Sequence, residues 1–80
     1  MKIPRDCKGT DLAIALRRLG YEKVRQTGSH IRVTTQQGGE FHLTIPNHRP
    51  LKVGLLHGLL KEVAAHHGLE VEEVISQLKL

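Results

Sequence analysis

The chain has no tryptophan, one tyrosine, one phenylalanine and one cysteine among its 80 residues. Each scarcity excludes something. With Tyr21 and Phe41 as its only benzenoid side chains, the protein cannot build the exposed aromatic platform on which RRM and OB domains stack bases. Nucleic-acid recognition, if it occurs, must rest on backbone and shape. Cys7 alone rules out an internal disulfide or a thiolate metal cluster within one chain, and makes a reducing compartment the default. No run approaches the length of a membrane span, and residues 1–6 hold no apolar stretch suited to a signal peptide. A cytoplasmic protein without a membrane partner is expected. The length itself allows one core, because a chain this small buries only about 60 to 65% of its unfolded surface. A single domain over residues 1–80 follows, with no repeat and no linker.

Positive charge is what the chain has to spare. Twelve Lys and Arg against eight Asp and Glu give a formal net charge of +4, which favours an anionic partner without naming it. Glu70, Glu72 and Glu73 sit late, so the excess lies in the N-terminal part.

Leu12, Ala15, Leu16 and Leu19 fall at helical spacing, with Asp11 in the first turn, Arg17 and Arg18 in the last, and Gly20 placed to cap the end. The pattern predicts a helix over residues 10–19. From Tyr21 to Pro46 the period changes to 2 and β-branched residues dominate, which predicts a three-stranded meander over residues 21–27, 30–36 and 40–45. Ile31, Val33 and Thr35 then face one way with Phe41, Leu43 and Ile45, while His30, Arg32 and Thr34 face the other. Facing residues of an antiparallel pair share a side, so the loop between the last two strands must hold an odd number of residues. A three-residue loop over residues 37–39 pairs Val33 with Leu43, Arg32 with Thr44 and His30 with Pro46. Val53, Leu56, Leu59, Leu60, Val63 and Ala64 mark a second helix capped by Gly68, and Val71, Val74, Ile75 and Leu78 a short third. The order α-β-β-β-α plus a short C-terminal helix predicts an α+β two-layer sandwich, with helices on one face of the antiparallel sheet. The open face should carry Lys23, Arg25, Arg32 and His30.

The residues with chemistry gather around the first hairpin. In Arg25-Gln26-Thr27-Gly28-Ser29-His30, the Gly28-Ser29 turn lets backbone N–H groups and a hydroxyl approach a phosphate. Arg25 can hold that phosphate bidentately, and His30 can move a proton. Those are the needs of RNA cleavage by attack of the internal 2′-hydroxyl. Spacing alone favours a plain hairpin followed by an exposed strand histidine. Lys52, near the start of the second helix, either attracts a phosphate together with the helix dipole or is simply solvated. His42 and His48 could touch RNA or assist proton transfer. His57 and Lys61 read as a solvated i, i+4 pair. His66 and His67 point about 100° apart on one helix with no second pair at ligand spacing, so no metal site is expected. Cys7 reads as a passive thiol.

Leu19-Gly20-Tyr21, Arg25 to His30, Ile45-Pro46-Asn47-His48 and Leu51-Lys52-Val53-Gly54-Leu55-Leu56 occur in an order that resembles the HicA-type toxins, small messenger-RNA-cleaving proteins of toxin-antitoxin pairs. The resemblance covers residues 9–68 and leaves a tail over 69–80. It implies a double-stranded-RNA-binding-domain-like fold, His30 as the catalytic residue and a HicB-type antitoxin as partner; no cofactor is expected. Gly28, Ser29, Arg32 and His48 join Arg25 and Lys52 as expected RNA contacts. Leu55 departs from the pattern, because relatives often place a threonine there and its hydroxyl is missing. A partner that inhibits by covering the open face should bury His30 and Arg32. The competing reading is a non-catalytic RNA-binding module using the same face.

Overall fold

In the computed structural model, which describes residues 3–80, helix α1 (Gly9–Ala15) continues into a 3-10 turn, Leu16–Leu19. Strands β1 (Glu22–Thr27), β2 (His30–Thr35) and β3 (Phe41–Pro46) follow, then helices α2 (Val53–His67) and α3 (Val71–Leu78). The strands form one antiparallel sheet in the order β1-β2-β3. This is the expected α+β sandwich. The end of the first helix departs from α geometry because Leu16 and Leu19 must both be buried. A 3-10 turn aligns residues three apart, and Gly20 closes it in the left-handed conformation.

The register of β2 with β3 is the one the face argument requires: Val33 faces Leu43, Ile31 faces Ile45, Arg32 faces Thr44 and His30 faces Pro46. The ladder stops at Thr35 and Phe41, so the connecting loop spans residues 36–40. A hydrogen bond from Gly39 N–H to Gln36 O at 3.1 Å tightens it. Ile31, Val33, Leu43 and Ile45 form the sheet's share of the core, against Leu12, Leu16, Leu56, Leu60 and Val63 of the helices.

Two expectations need correction. Lys23 does not lie on the open face: a β-bulge between Lys23 and Arg25 places Lys23 opposite Val33, on the helix side, and leaves Val24 59% exposed. The bulge adds one residue to β1 and so reverses the face of everything before it. Val53 does not join the apolar stripe of α2 but is 42% exposed in its first turn.

The C-terminal residues are part of the core and not an appendage. Val74 and Leu78 of α3 are buried, and α3 packs on α2 and on the 3-10 turn. Its start is fixed by a reciprocal capping box between Glu70 and Glu73, which satisfies two otherwise unpaired backbone donors.

Among the glycines, Gly9 has the least room for a side chain. A Cβ there would overlap Pro46 O and press on Asn47 Cα, and Gly9 N–H donates to His48 O at 3.0 Å. Gly9→Ala should therefore cost about 1–3 kcal/mol, the usual range for overpacking, read as a lower midpoint in urea unfolding. An unchanged midpoint would show that the segment yields freely.

Candidate nucleic-acid interface and active site

The open face is a small grid set by strand pairing. In its first row Thr27 of β1, His30 of β2 and Pro46 of β3 stand side by side; the second holds Arg25, Arg32 and Thr44; the third holds Glu22, Thr34 and His42. Rows lie roughly 6.5 Å apart, two strand residues. His30 is thus flanked by a row with two guanidinium groups. Both arginines and His30 are exposed, so the face offers positive charge and an imidazole to a phosphate backbone at once.

The hairpin before His30 is as tight as a hairpin can be. Thr27 pairs with His30 around Gly28 and Ser29, and Gly28 takes φ 50°. Glycine at the first central position is the pattern of a type II′ turn, which a side chain there would strain. Ser29 Oγ lies 3.4 Å from His30 Nδ1, a long contact that leaves Nε2 outside it. Asn47 N–H donates to Ser29 O at 2.6 Å, tying the turn to the segment that leaves β3. Gly9 holds the next residue of that segment through His48 O. The start of α1, the exit of β3 and the hairpin therefore fix one another. The side-chain oxygen of Asn47 is buried there without a hydrogen-bond partner among the described residues. An unsatisfied buried acceptor of this kind costs about 1–3 kcal/mol. Neither Gly9 nor Asn47 stood out as a positioning residue in the sequence, though both border the motifs that did.

The remaining expected contacts divide. His48 is exposed in the loop beyond β3, attached to the hairpin end through Asn47. Lys52 is not on the sheet face: it is the exposed N-cap residue of α2, in the helical layer. Leu55 is exposed in the first turn of the same helix and offers no hydroxyl. His42 is engaged, with Nδ1 at 2.6 Å from Thr34 Oγ1 and Nε2 at 3.8 Å from Glu40.

Two other histidines have structural work. His66 stacks on Phe41, ring centroids 4.5 Å apart, and its Nε2–H donates to both Gln37 O and Gly39 O at 3.0 Å. It clamps the β2–β3 loop onto α2. His67 Nε2 lies 3.1 Å from the hydroxyl of buried Tyr21. Burial and the charge of Glu62 push that phenol up to about 12, so it stays protonated. Cys7 is buried, and burial with the charge of Asp11 raises its thiol above the usual range. That keeps it protonated and unreactive at neutral pH.

The His67 site predicts a pH effect on stability. Burial, then the neighbouring His66, lowers the His67 pKa. The unfolded chain thus binds this proton more readily than the folded one, and the stabilisation is complete above about pH 6.5 and lost as pH falls through the lowered value. His67→Gln, which keeps a partner for Tyr21, should flatten the curve of Tm against pH between about 7 and 5. An equally steep curve in the variant would place the titration elsewhere.

A family model described as the HicA toxin of bacterial toxin-antitoxin matches residues 9–64, a stretch that holds α1, the whole sheet and most of α2. The chain belongs to the HicA toxin family. Neither curated proteins nor solved structures give a match. Membership makes this HicA chain a toxin-antitoxin ribonuclease with RNA as substrate and an antitoxin as partner. The matched segment begins at Gly9, the residue that anchors the loop behind the hairpin, and ends before α3. Among the described residues no helix is long and apolar enough to cross a membrane.

Proposed function

We propose that the protein cleaves messenger RNA by metal-independent acid-base catalysis through His30, under the control of a HicB-type antitoxin. The observation that carries this reading is the placement of an exposed imidazole beside the Arg25-Arg32 row, at a hairpin held from behind. One imidazole nitrogen takes the proton of a ribose 2′-hydroxyl as its oxygen attacks the adjacent phosphorus. The pentacovalent phosphate collapses to a 2′,3′-cyclic phosphate, and the 5′-oxygen leaves with a proton. His30 serves as base or acid in this exchange, and His48, attached to the same end of the sheet, is the nearest candidate to assist. Arg25 stabilises the phosphorane from the adjacent row, a better placement than that of Lys52 in the helical layer. Gly28 and Ser29 present the turn to the backbone, and Arg32 holds a neighbouring phosphate. The whole chain acts as one domain, with residues 69–80 completing its core.

Incubating the purified protein with messenger RNA in EDTA tests the reading. Cleavage should persist. Binding without cleavage would make the protein an RNA-binding module. If three to five phosphates are neutralised, log affinity for single-stranded RNA should fall against log salt with a slope of roughly −2 to −3.5. A salt-independent affinity would remove the basic face from RNA binding.

A further inference from the structure

The helical layer leaves one strand uncovered. Helix α1 packs beneath β2 and β3 and α2 beneath β3, whereas all six residues of β1 are exposed. Between the flank of α1 and β1 lies a cleft of about 190 Å³ whose walls include Ala13, Ile14, Arg17, Lys23, Gln26 and Ile31. A cavity of about 150 Å³ accommodates benzene, so this one has room for a large aliphatic side chain. Ile14 in its wall is 58% exposed, and Val24, next to Lys23 in β1, is 59% exposed. Among the described residues no carboxylate lines it, and the far side of β1 has no strand partner.

We propose that the cleft and the free edge of β1 form a docking surface for an acidic, extended segment of a protein partner. The segment adds to the sheet beside β1, in the manner of strand addition, and seats one apolar side chain in the cleft. Its chemistry follows from what surrounds the edge. Lys23 and Arg17 stand on the helix side and Arg25 on the open side, with Glu22 the one carboxylate of β1, at the end far from the hairpin, so carboxylates toward the hairpin end of the incoming strand meet a cation on either face. The bulge and the inward Lys23 are devices that discourage edge pairing. They bar a second copy of this chain, which would bring Lys23 and Arg25 against their own kind, and an acidic strand removes the bar by neutralising them. RNA would gain nothing from Ile14, Val24 or the aliphatic cleft. The inference rests on the toxin reading in one respect, that the antitoxin carries the segment. Laid along β1, it would border the Thr27-His30 row and reach over the open face.

The test uses the full isotope-labelled chain and a capped seven-residue peptide alternating glutamate with leucine. Its amide resonances should shift along β1 and the flank of α1. A lysine-leucine counterpart should leave them in place. Ile14→Asp and Lys23→Glu should each weaken the glutamate peptide at least tenfold, while keeping the folded amide spectrum and RNA cleavage in EDTA. Equal binding of both peptides, indifference to both substitutions, or shifts on α2 and α3 instead would overturn the proposal. So would a single-stranded RNA oligomer that shifts Ile14 and Gln26 in place of the peptide. Cleavage read on the same samples separates the two claims: peptide binding without cleavage removes only the ribonuclease reading, and cleavage without peptide binding removes only the docking surface.

Discussion

Replacing His30 with alanine is expected to lower RNA cleavage by the purified protein about 10²- to 10⁴-fold and to abolish growth toxicity. The magnitude is what one general acid-base group supplies, and imidazole is the side chain suited to move a proton between pH 5 and 8. RNA binding should hold within a few-fold, because Arg25 and Arg32 keep their places in the adjacent row. The fold should persist too, since His30 is exposed at a strand end and fills no part of the core. His42→Ala should be milder, as its ring is already committed to Thr34 two rows away, and His48→Ala intermediate. Full cleavage by folded His30→Ala protein would remove His30 from the chemistry.

Truncation after Gly68 should unfold the domain outright, although the family match ends before α3 begins. Val74 and Leu78 are fully withdrawn from water, and Leu69, Val71, Ile75 and Leu80 pack against the same cluster. A buried Leu→Ala change alone costs about 2–5 kcal/mol, against a total stability of about 5–15 kcal/mol for a domain. Removing all six exceeds what an 80-residue protein has in reserve. Leu78→Ala should therefore lower stability by about 2–5 kcal/mol in urea unfolding. A cooperative transition in the truncated chain with an unchanged midpoint would show the helix to be an ornament.

The sheet was legible because its signals agree. Period-2 alternation in Ile31-Arg32-Val33 and Phe41-His42-Leu43 allows one register, and the glycines of the intervening loop permit it. The bulge was not legible. Lys23-Val24-Arg25 reads as regular alternation with Val24 inward, but between the flank of α1 and β1 lies an open cleft, so no packed core waits to receive Val24. The edge strand bulges and leaves it in solvent. The candidate site was legible in the hairpin, where glycine, serine and histidine are adjacent in sequence. Its supports were not, because Gly9, Asn47 and Ser29 meet only in the tertiary fold. His66 and His67 gave no signal for the same reason: their partners, Gln37 and Tyr21, are 29 and 46 residues away.

The chemistry at the cut ends tests the central claim most directly. RNA cleaved by the wild-type protein in EDTA should carry a 2′,3′-cyclic phosphate and a 5′-hydroxyl, because the nucleophile is the neighbouring ribose oxygen and no water enters the first step. A 3′-hydroxyl with a 5′-phosphate would require an activated water as nucleophile and would contradict the role assigned to His30.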